Sequence, residues 1–139
     1  MNTRTTDKDT ALVVIKEPML FDVILSRGLD GKPYTNVPRS VIWHSPDGFE
    51  WGYDGSGPAD LALNILNAFL PPGSDGHKPQ MCFKGKCSRI AAVLHQDFKR
   101  DFIATTPMMG GTIVAAKIMA WVMPAIKNIK RLEARHEKT

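Results

Sequence analysis

The strongest structural signal in this sequence is a helix predicted over residues 58–70. The helix follows a glycine-rich segment and stops at a Pro-Pro-Gly triplet, which cannot continue it. Apolar side chains recur along these residues at helical spacing. They define one stripe, which consists of Leu61, Ala62, Ile65, Leu66 and Phe69. We therefore expect an amphipathic helix in the middle of the chain.

The first turn of this helix carries signals of its own. Ser56 or Gly57 is expected to cap the helix, and Pro58 suits a position whose N–H would have no helical partner. Asp60 is expected to interact favourably with the positive end of the helix dipole.

Strand patterns dominate the N-terminal half of the chain. Residues 11–16 and 19–26 are rich in apolar and β-branched side chains and predict two strands. The Asp-Gly pair at residues 30–31 supplies the positive φ that a tight hairpin needs. A third strand is predicted over residues 35–43, with its first half weakened by Pro38.

The C-terminal half predicts helices. A second helix is expected over residues 88–103, and residues 105–111 are expected to be a linker. Thr112 is expected to cap a third helix over residues 113–137, which Pro124 would kink or split. Strands followed by helices are typical of the α+β class, here a small antiparallel sheet packed against two or three helices.

The length of the chain, 139 residues, is that of one domain, and its 43% of apolar residues excludes a disordered polymer. We expect a flexible tail over residues 1–10, an α+β domain over 11–111, and a C-terminal helix over 112–139 that is apolar first and then basic. The longest apolar run, residues 113–126, is too short to span a bilayer, and the polar N-terminus lacks the apolar core of a signal peptide. These features predict a cytoplasmic protein without a membrane partner.

Positive charge is concentrated at the C-terminal end. Residues 117–139 hold six basic and two acidic side chains, a net charge of +4 that equals the charge of the whole chain. A basic surface of this kind attracts phosphate groups or an acidic protein. A solvated helix end is the alternative, because cations also suit the negative end of a helix dipole.

The segment HSPDGFEWGYDGSGPADLAL, residues 44–63, combines four glycines with aromatic and polar side chains. Because it leads into a helix N-terminus, it is a candidate site for an anion or small ligand. The candidate residues are His44, Glu50, Trp51, Tyr53 and Ser56. The alternative is a tight loop that its aromatic side chains pack onto the core. No phosphate-loop lysine, Gly-x-Gly-x-x-Gly pattern or catalytic signature is present, so no catalytic residue is predicted.

The same segment carries a resemblance. It is similar to the hallmark HSPxGFEWGYxGSGPAxLAL of a domain-of-unknown-function family of phage, prophage and plasmid proteins. The resemblance covers roughly residues 20–103, whereas residues 81–88 and the helix after Met108 depart from the family's pattern. It implies an origin in a mobile genetic element, and it implies no activity.

Two histidines and two cysteines are spaced His-x4-Cys-x4-Cys-x7-His. They are His77, Cys82, Cys87 and His95. Two thiolates and two imidazoles can complete a tetrahedral zinc site, but this spacing is not that of the usual zinc knuckles. Two free thiols are the alternative, and we expect no cofactor.

Residues 113–126 of the third helix are apolar on nearly all sides, and such a helix is buried in a core or in a partner. We expect Trp121 and Met123 to lie in a helix–helix or helix–partner contact, with Met119 enlarging the apolar surface. The predicted partner-binding surface continues into the basic side chains Lys127, Lys130 and Arg131.

The missing catalytic motif and the apolar third helix favour a small non-enzymatic accessory protein of a phage or other mobile element. It would bind a host or phage protein stoichiometrically, for example as an inhibitor of a defence system such as CRISPR. One alternative is a nucleic-acid-binding module that uses the basic third helix. Another is a small-ligand or phosphate-binding enzyme that uses residues 44–57. The partner and the oligomeric state, including a homodimer, stay open.

Overall fold

The computed structural model describes residues 12–137, and the predicted tail over residues 1–10 lies outside them. The described residues form two three-stranded antiparallel sheets and three α-helices, which confirms the α+β class but with two sheets in place of one. The predicted strand over residues 11–16 is wrong for residues 12–16. These residues contact Arg39 through the N–H of Val13, which donates to the Arg39 carbonyl at 2.9 Å, but they form no ladder.

The first sheet has strand β1 (Val23–Arg27) at its centre. β1 pairs antiparallel with β2 (Pro33–Thr35) on one side and with β6 (Gly110–Ile113) on the other. The β1–β2 hairpin turns at Gly31, whose φ is +80°. This left-handed conformation is the one that the Asp-Gly pair predicts, so the hairpin prediction is confirmed.

The second sheet consists of β3 (Val41–Ile42), β5 (Lys84–Cys87) and β4 (Gln80–Met81), in that spatial order. The strand predicted over residues 35–43 is therefore divided between β2 and β3, which belong to different sheets. Pro38 lies between the two strands, where its missing N–H interrupts the ladder.

Helix α1 (Ser56–Phe69) is the central element of the core. Every residue after Ser56 in this helix is buried, so the helix is enclosed on all sides and not along one stripe. Its N-cap is Gly55, and no side chain caps it. The caps predicted at Ser56 and Gly57 are wrong because the helix starts earlier: the N–H of Ala59 already bonds to the carbonyl of Gly55.

Three polar side chains interrupt the apolar surface of α1. They are Asp60, Asn64 and Asn67, and each is at most 1% exposed. Their spacing of four and then three residues puts them on one face of the helix. They hydrogen-bond to the backbone of residues 40–45 and residues 86–88. This face of α1 therefore positions both the loop that precedes the helix and the junction between β5 and the next helix.

Helix α2 (Arg89–Phe98) begins after Ser88, whose Oγ accepts a hydrogen bond from the N–H of Ala91 at 3.1 Å. The α-helix does not reach residue 103 as predicted, because Lys99–Ile103 form a π-helical turn. Phe98 and Ile103 are five residues apart and both completely buried. The wider turn lets side chains at this spacing share one face of the helix.

Helix α3 (Ala115–Glu137) runs without interruption through Pro124, so the predicted split is wrong. It starts later than predicted because residues 110–113, assigned to a linker and a helix from the sequence, form strand β6. Thr112 therefore does not cap the helix. Instead, the N–H of Ala115 donates to Oδ1 of Asp22, which lies 93 residues away in the sequence, at 2.8 Å.

Candidate functional site

The loop at the start of the residue 44–63 motif is positioned by Asp60 from inside α1. The carboxylate of Asp60 accepts hydrogen bonds from the backbone N–H groups of Trp43, His44 and Ser45, at 3.2, 2.9 and 3.0 Å. On the other side of the loop, Arg39 donates to the carbonyls of residues 45 and 46. Partial burial lowers the pKa of Arg39, against the opposing effect of Asp60. Asp60 thus holds this loop. Because α1 begins at Ser56, its first turn contains no acidic residue, and the predicted dipole interaction of Asp60 in the first turn is wrong.

The side chain of His44 meets His95 of α2, with the two Nε2 atoms 2.9 Å apart. Nδ1 of His95 lies 2.7 Å from the carbonyl oxygen of Ala92, which only accepts hydrogen bonds. His95 therefore carries its proton on Nδ1, and its Nε2 accepts a hydrogen bond from Nε2 of His44. The indole of Trp43 stacks on His44 with the ring planes 9° apart. The result is a partly buried aromatic cluster that contains two imidazoles.

Burial lowers the pKa of His95, which is 3% exposed, and the neighbouring His44 acts in the same direction. The hydrogen bond to the Ala92 carbonyl and, to a smaller extent, Asp60 oppose this shift without overcoming it. Because the folded pKa lies below the unfolded value of about 6.5, the folded state binds fewer protons than the unfolded chain. The associated stability is present above about pH 6.5 and is lost as the pH falls through the folded pKa of His95.

We therefore predict that the free energy of unfolding falls as the pH is lowered below about 6.5. Urea unfolding followed by circular dichroism between neutral and mildly acidic pH measures this dependence. His95→Gln should flatten it, because Gln provides polar atoms but does not titrate. His77→Gln is the matched control, since His77 is partly exposed, and it should retain the wild-type dependence. An unchanged slope in His95→Gln would contradict the assignment.

Glu50 and Trp51 belong to a second network, centred on Arg27 of β1. The guanidinium of Arg27 binds the Glu50 carboxylate through two hydrogen bonds of 3.2 and 2.8 Å and lies 4.4 Å from the ring centroid of Trp51. Both Arg27 and Trp51 donate to the carbonyl oxygen of Met108, at 2.8 and 3.1 Å. Trp51 is completely buried. These contacts join β1, the motif and the segment that leads into β6.

The remaining candidates of the motif lie in neither network. Tyr53 is 48% exposed, and its ring lies against Gly55, where a Cβ atom would collide with it. Ser56 is the first residue of α1. The structure therefore divides the five candidate residues: His44 pairs with His95, Glu50 and Trp51 contact Arg27, and Tyr53 and Ser56 stand apart.

The four residues of the predicted zinc set are not brought together. Nε2 of His77 lies 3.3 Å from a carboxylate oxygen of Glu133, and His95 pairs with His44. Only Cys82 and Cys87 contact each other, with their Sγ atoms 3.7 Å apart. Within residues 12–137, no group of three or more His, Cys, Asp or Glu side chains is placed to hold a metal ion. The two imidazoles have other hydrogen-bonding partners, so the spacing in sequence did not translate into a common site.

In α3, Trp121 faces the π-helical turn. Its indole Nε1 donates to Oδ2 of Asp101 at 2.8 Å, and its ring packs edge-on against Phe98 and Phe102, with centroids 5.2 and 6.1 Å away. Ile118 is completely buried, as is Val122. Trp121 thus lies in a helix–helix contact within the chain, and Met119 packs partly against the same core.

The opposite face of α3, here called the outer face, is exposed along its length. Its first half exposes Ala116, Ala120 and Met123 next to Lys117, and its second half is mainly basic. The outer-face residues considered below are Ala116, Ala120, Met123, Lys127, Lys130, Arg131 and Arg135. Met123 is 46% exposed, so of the two contacts predicted for it, helix–helix or helix–partner, the one with a partner stays a prediction. At the far end, Glu133 binds both His77 and Arg89, which places the start of α2 beside the basic half of the helix.

Comparison with known proteins finds a match to a family model. The model, described as a family of unknown function (DUF6166), matches residues 22–84, a little less than half of the chain. This region includes β1, β2, β3 and α1, and therefore Asp60 and the motif. No curated protein and no solved structure matches the chain. The chain is thus similar to an uncharacterised domain family over the part that holds its central helix.

Within residues 12–137, no helix is both long enough and apolar enough to cross a membrane. The apolar side chains in the first half of α3 are divided between the two faces of the helix. Its inner side chains, including Ile118 and Val122, fill the core, and its outer side chains are mostly small.

Proposed function

We propose that this protein acts by stoichiometric binding of an acidic protein through the outer face of α3. The observation that supports the proposal most is the arrangement of this face. An exposed apolar patch around Ala120 and Met123 is followed on the same helix by an exposed basic ridge. Apolar contact with a charged rim is the usual composition of a protein-binding surface. The rim charges would guide an acidic partner toward the apolar patch.

The basic ridge is available for a partner. No ion pair within the described part of the chain involves Lys127, Lys130 or Arg131. By contrast, Arg27 and Lys99 are largely buried and paired with Glu50 and Asp54. Arg27 and Lys99 thus stabilise the fold, whereas the basic side chains of the outer face remain free to contact an acidic surface.

The proposal includes the biological setting that the motif suggests. A small binding protein from a phage or other mobile element would act in the cytoplasm of the host cell. Its partner would be a host or phage protein, and an acidic component of a defence system such as CRISPR is the first class to test.

A double charge reversal tests the proposal. Lys127→Glu/Arg131→Glu should weaken capture of the partner about tenfold or more, because two attractive charges become repulsive. The control is Lys16→Glu/Lys32→Glu, which makes the same change in charge at exposed positions far from α3 in sequence. Both variants should keep a free energy of unfolding within about 0.5 kcal/mol of wild type. The measurement is affinity capture from host lysate, followed by titration with the purified partner.

Three outcomes would overturn the proposal. One is that no protein is captured, and another is that both double variants lose capture equally. The third is a dimer of this chain in size-exclusion chromatography that dissociates in Lys127→Glu/Arg131→Glu, since it would assign the outer face to self-association.

A nucleic-acid-binding module is the second candidate, and one contact favours it. The Arg89–Glu133 ion pair, at 3.4 Å, places Arg89 against the basic half of α3, and the exposed Lys84 and Lys86 of β5 lie five and three residues before Arg89 in the sequence. A gel shift with DNA and RNA at low salt tests it with the same two double variants. Retention that falls steeply with salt and is lost only in Lys127→Glu/Arg131→Glu would favour this candidate over the acidic protein.

A further inference from the structure

The β4–β5 hairpin brings two thiols into contact. The hairpin turns at Gly85, whose φ is +79°, and the N–H of Cys82 donates to the carbonyl of Gly85 at 3.2 Å. Cys87 lies two residues beyond Gly85 on β5, so it is the diagonal neighbour of Cys82 on the same face of the hairpin. The two Sγ atoms are 3.7 Å apart. A bond between them requires both side chains to rotate and the hairpin backbone to adjust, because a disulfide joins sulfur atoms about 2.0 Å apart and diagonal neighbours have Cα atoms about 7–8 Å apart.

The two thiols have different surroundings. Cys82 is partly accessible, whereas Cys87 is completely buried. The hydrogen bond from the Cys87 thiol to Cys82 lowers the pKa of Cys82, and the same interaction together with burial raises the pKa of Cys87. A reactive, accessible thiol next to a buried second thiol is the arrangement of redox-active cysteine pairs.

We propose that Cys82 and Cys87 form a redox site that a low-molecular-weight disulfide, such as glutathione disulfide, oxidises to an intramolecular disulfide. The Cys82 thiolate attacks one sulfur of glutathione disulfide, which forms a mixed disulfide and releases one glutathione thiolate. Sγ of Cys87 then attacks Sγ of Cys82, and the second glutathione leaves and takes the proton of Cys87. Two cysteine thiols are oxidised, and one glutathione disulfide is reduced to two glutathione molecules.

The test incubates the full chain with glutathione disulfide in the presence of a metal chelator and follows intact mass and free thiols. The wild-type chain should lose both free thiols and the mass of two hydrogen atoms, with no glutathione retained. Cys87→Ser should stop at one bound glutathione on Cys82, because no second thiol displaces it. Cys87→Ala provides the same readout if the serine hydroxyl disturbs the buried site. In Cys82→Ser the buried Cys87 should remain a free thiol.

Each of the following results would overturn the proposal. The wild-type chain retains glutathione, keeps both thiols free, or forms disulfide-linked dimers in place of the internal bond. Circular dichroism of each variant establishes that the readout comes from a folded chain.

Discussion

Asp60→Ala is expected to lower the free energy of unfolding by about 3–5 kcal/mol, because it leaves several backbone N–H groups without their acceptor. The donors belong to Trp43, His44 and Ser45, and the carboxylate that receives them is 1% exposed. Loss of a buried acceptor costs each unpaired donor its hydration as well as its hydrogen bond. Urea unfolding at neutral pH measures the effect.

Two further variants show whether the hydrogen bonds cause the loss. Asp60→Asn keeps one acceptor oxygen in nearly the same place, so we expect it to be destabilised less than Asp60→Ala. Asp97→Ala removes an exposed carboxylate that pairs with Arg100 on the surface of α2, and it should stay within about 0.5 kcal/mol of wild type. If Asp60→Ala behaved like Asp97→Ala, Asp60 would not be what holds the loop.

The role of Asp60 illustrates what local patterns can and cannot predict. Helical spacing predicted α1 almost to its ends, since the period of its apolar residues is a local property. The same pattern suggested one buried face, because only the stripe of apolar residues was used to predict which side of the helix is buried. The sequence did contain a signal for a buried polar face: Asp60, Asn64 and Asn67 recur every three or four positions in an otherwise apolar helix. Whether these polar side chains are buried depends on the loop whose backbone bonds to them. That loop lies outside the helix, so the pattern of the helix alone cannot predict it.

The candidate sites show the same limit. The motif drew attention to His44 and Glu50, which lie six residues apart, but their partners are distant in sequence: His95 for one and Arg27 for the other. No spacing rule connects His44 with a residue 51 positions later. The cysteine pair is different, since a hairpin between Cys82 and Cys87 makes their contact a local consequence of the turn at Gly85.

Strand β6, like β4 and β5, was not predicted from the sequence, and it leads to the second large effect. Gly110 in β6 has a φ of +113°, and a Cβ atom at this position would overlap the carbonyl oxygen of Leu25 in β1. We expect Gly110→Ala to lower the free energy of unfolding by about 3 kcal/mol, since strain in the backbone conformation adds to the clash between the strands. Gly111→Ala is the matched control, because its Cβ would meet nothing within 4 Å.

Comparing the two variants distinguishes two effects on the free energy of unfolding: the steric clash specific to Gly110, and the general effect of replacing a glycine in a strand. Gly111→Ala should be neutral or slightly stabilising, because alanine reduces the conformational freedom of the unfolded chain. In Gly110→Ala, β6 must move away from β1, and the carbonyl of Met108, which accepts from Arg27 and Trp51, must move with it. Hydrogen exchange followed by NMR should therefore show loss of protection at the backbone amides of β6 and at the indole N–H of Trp51. The backbone amides of α2 should remain protected. Equal stability of the two variants would mean that β6 tolerates displacement, and that Gly110 is not what allows the strands to approach.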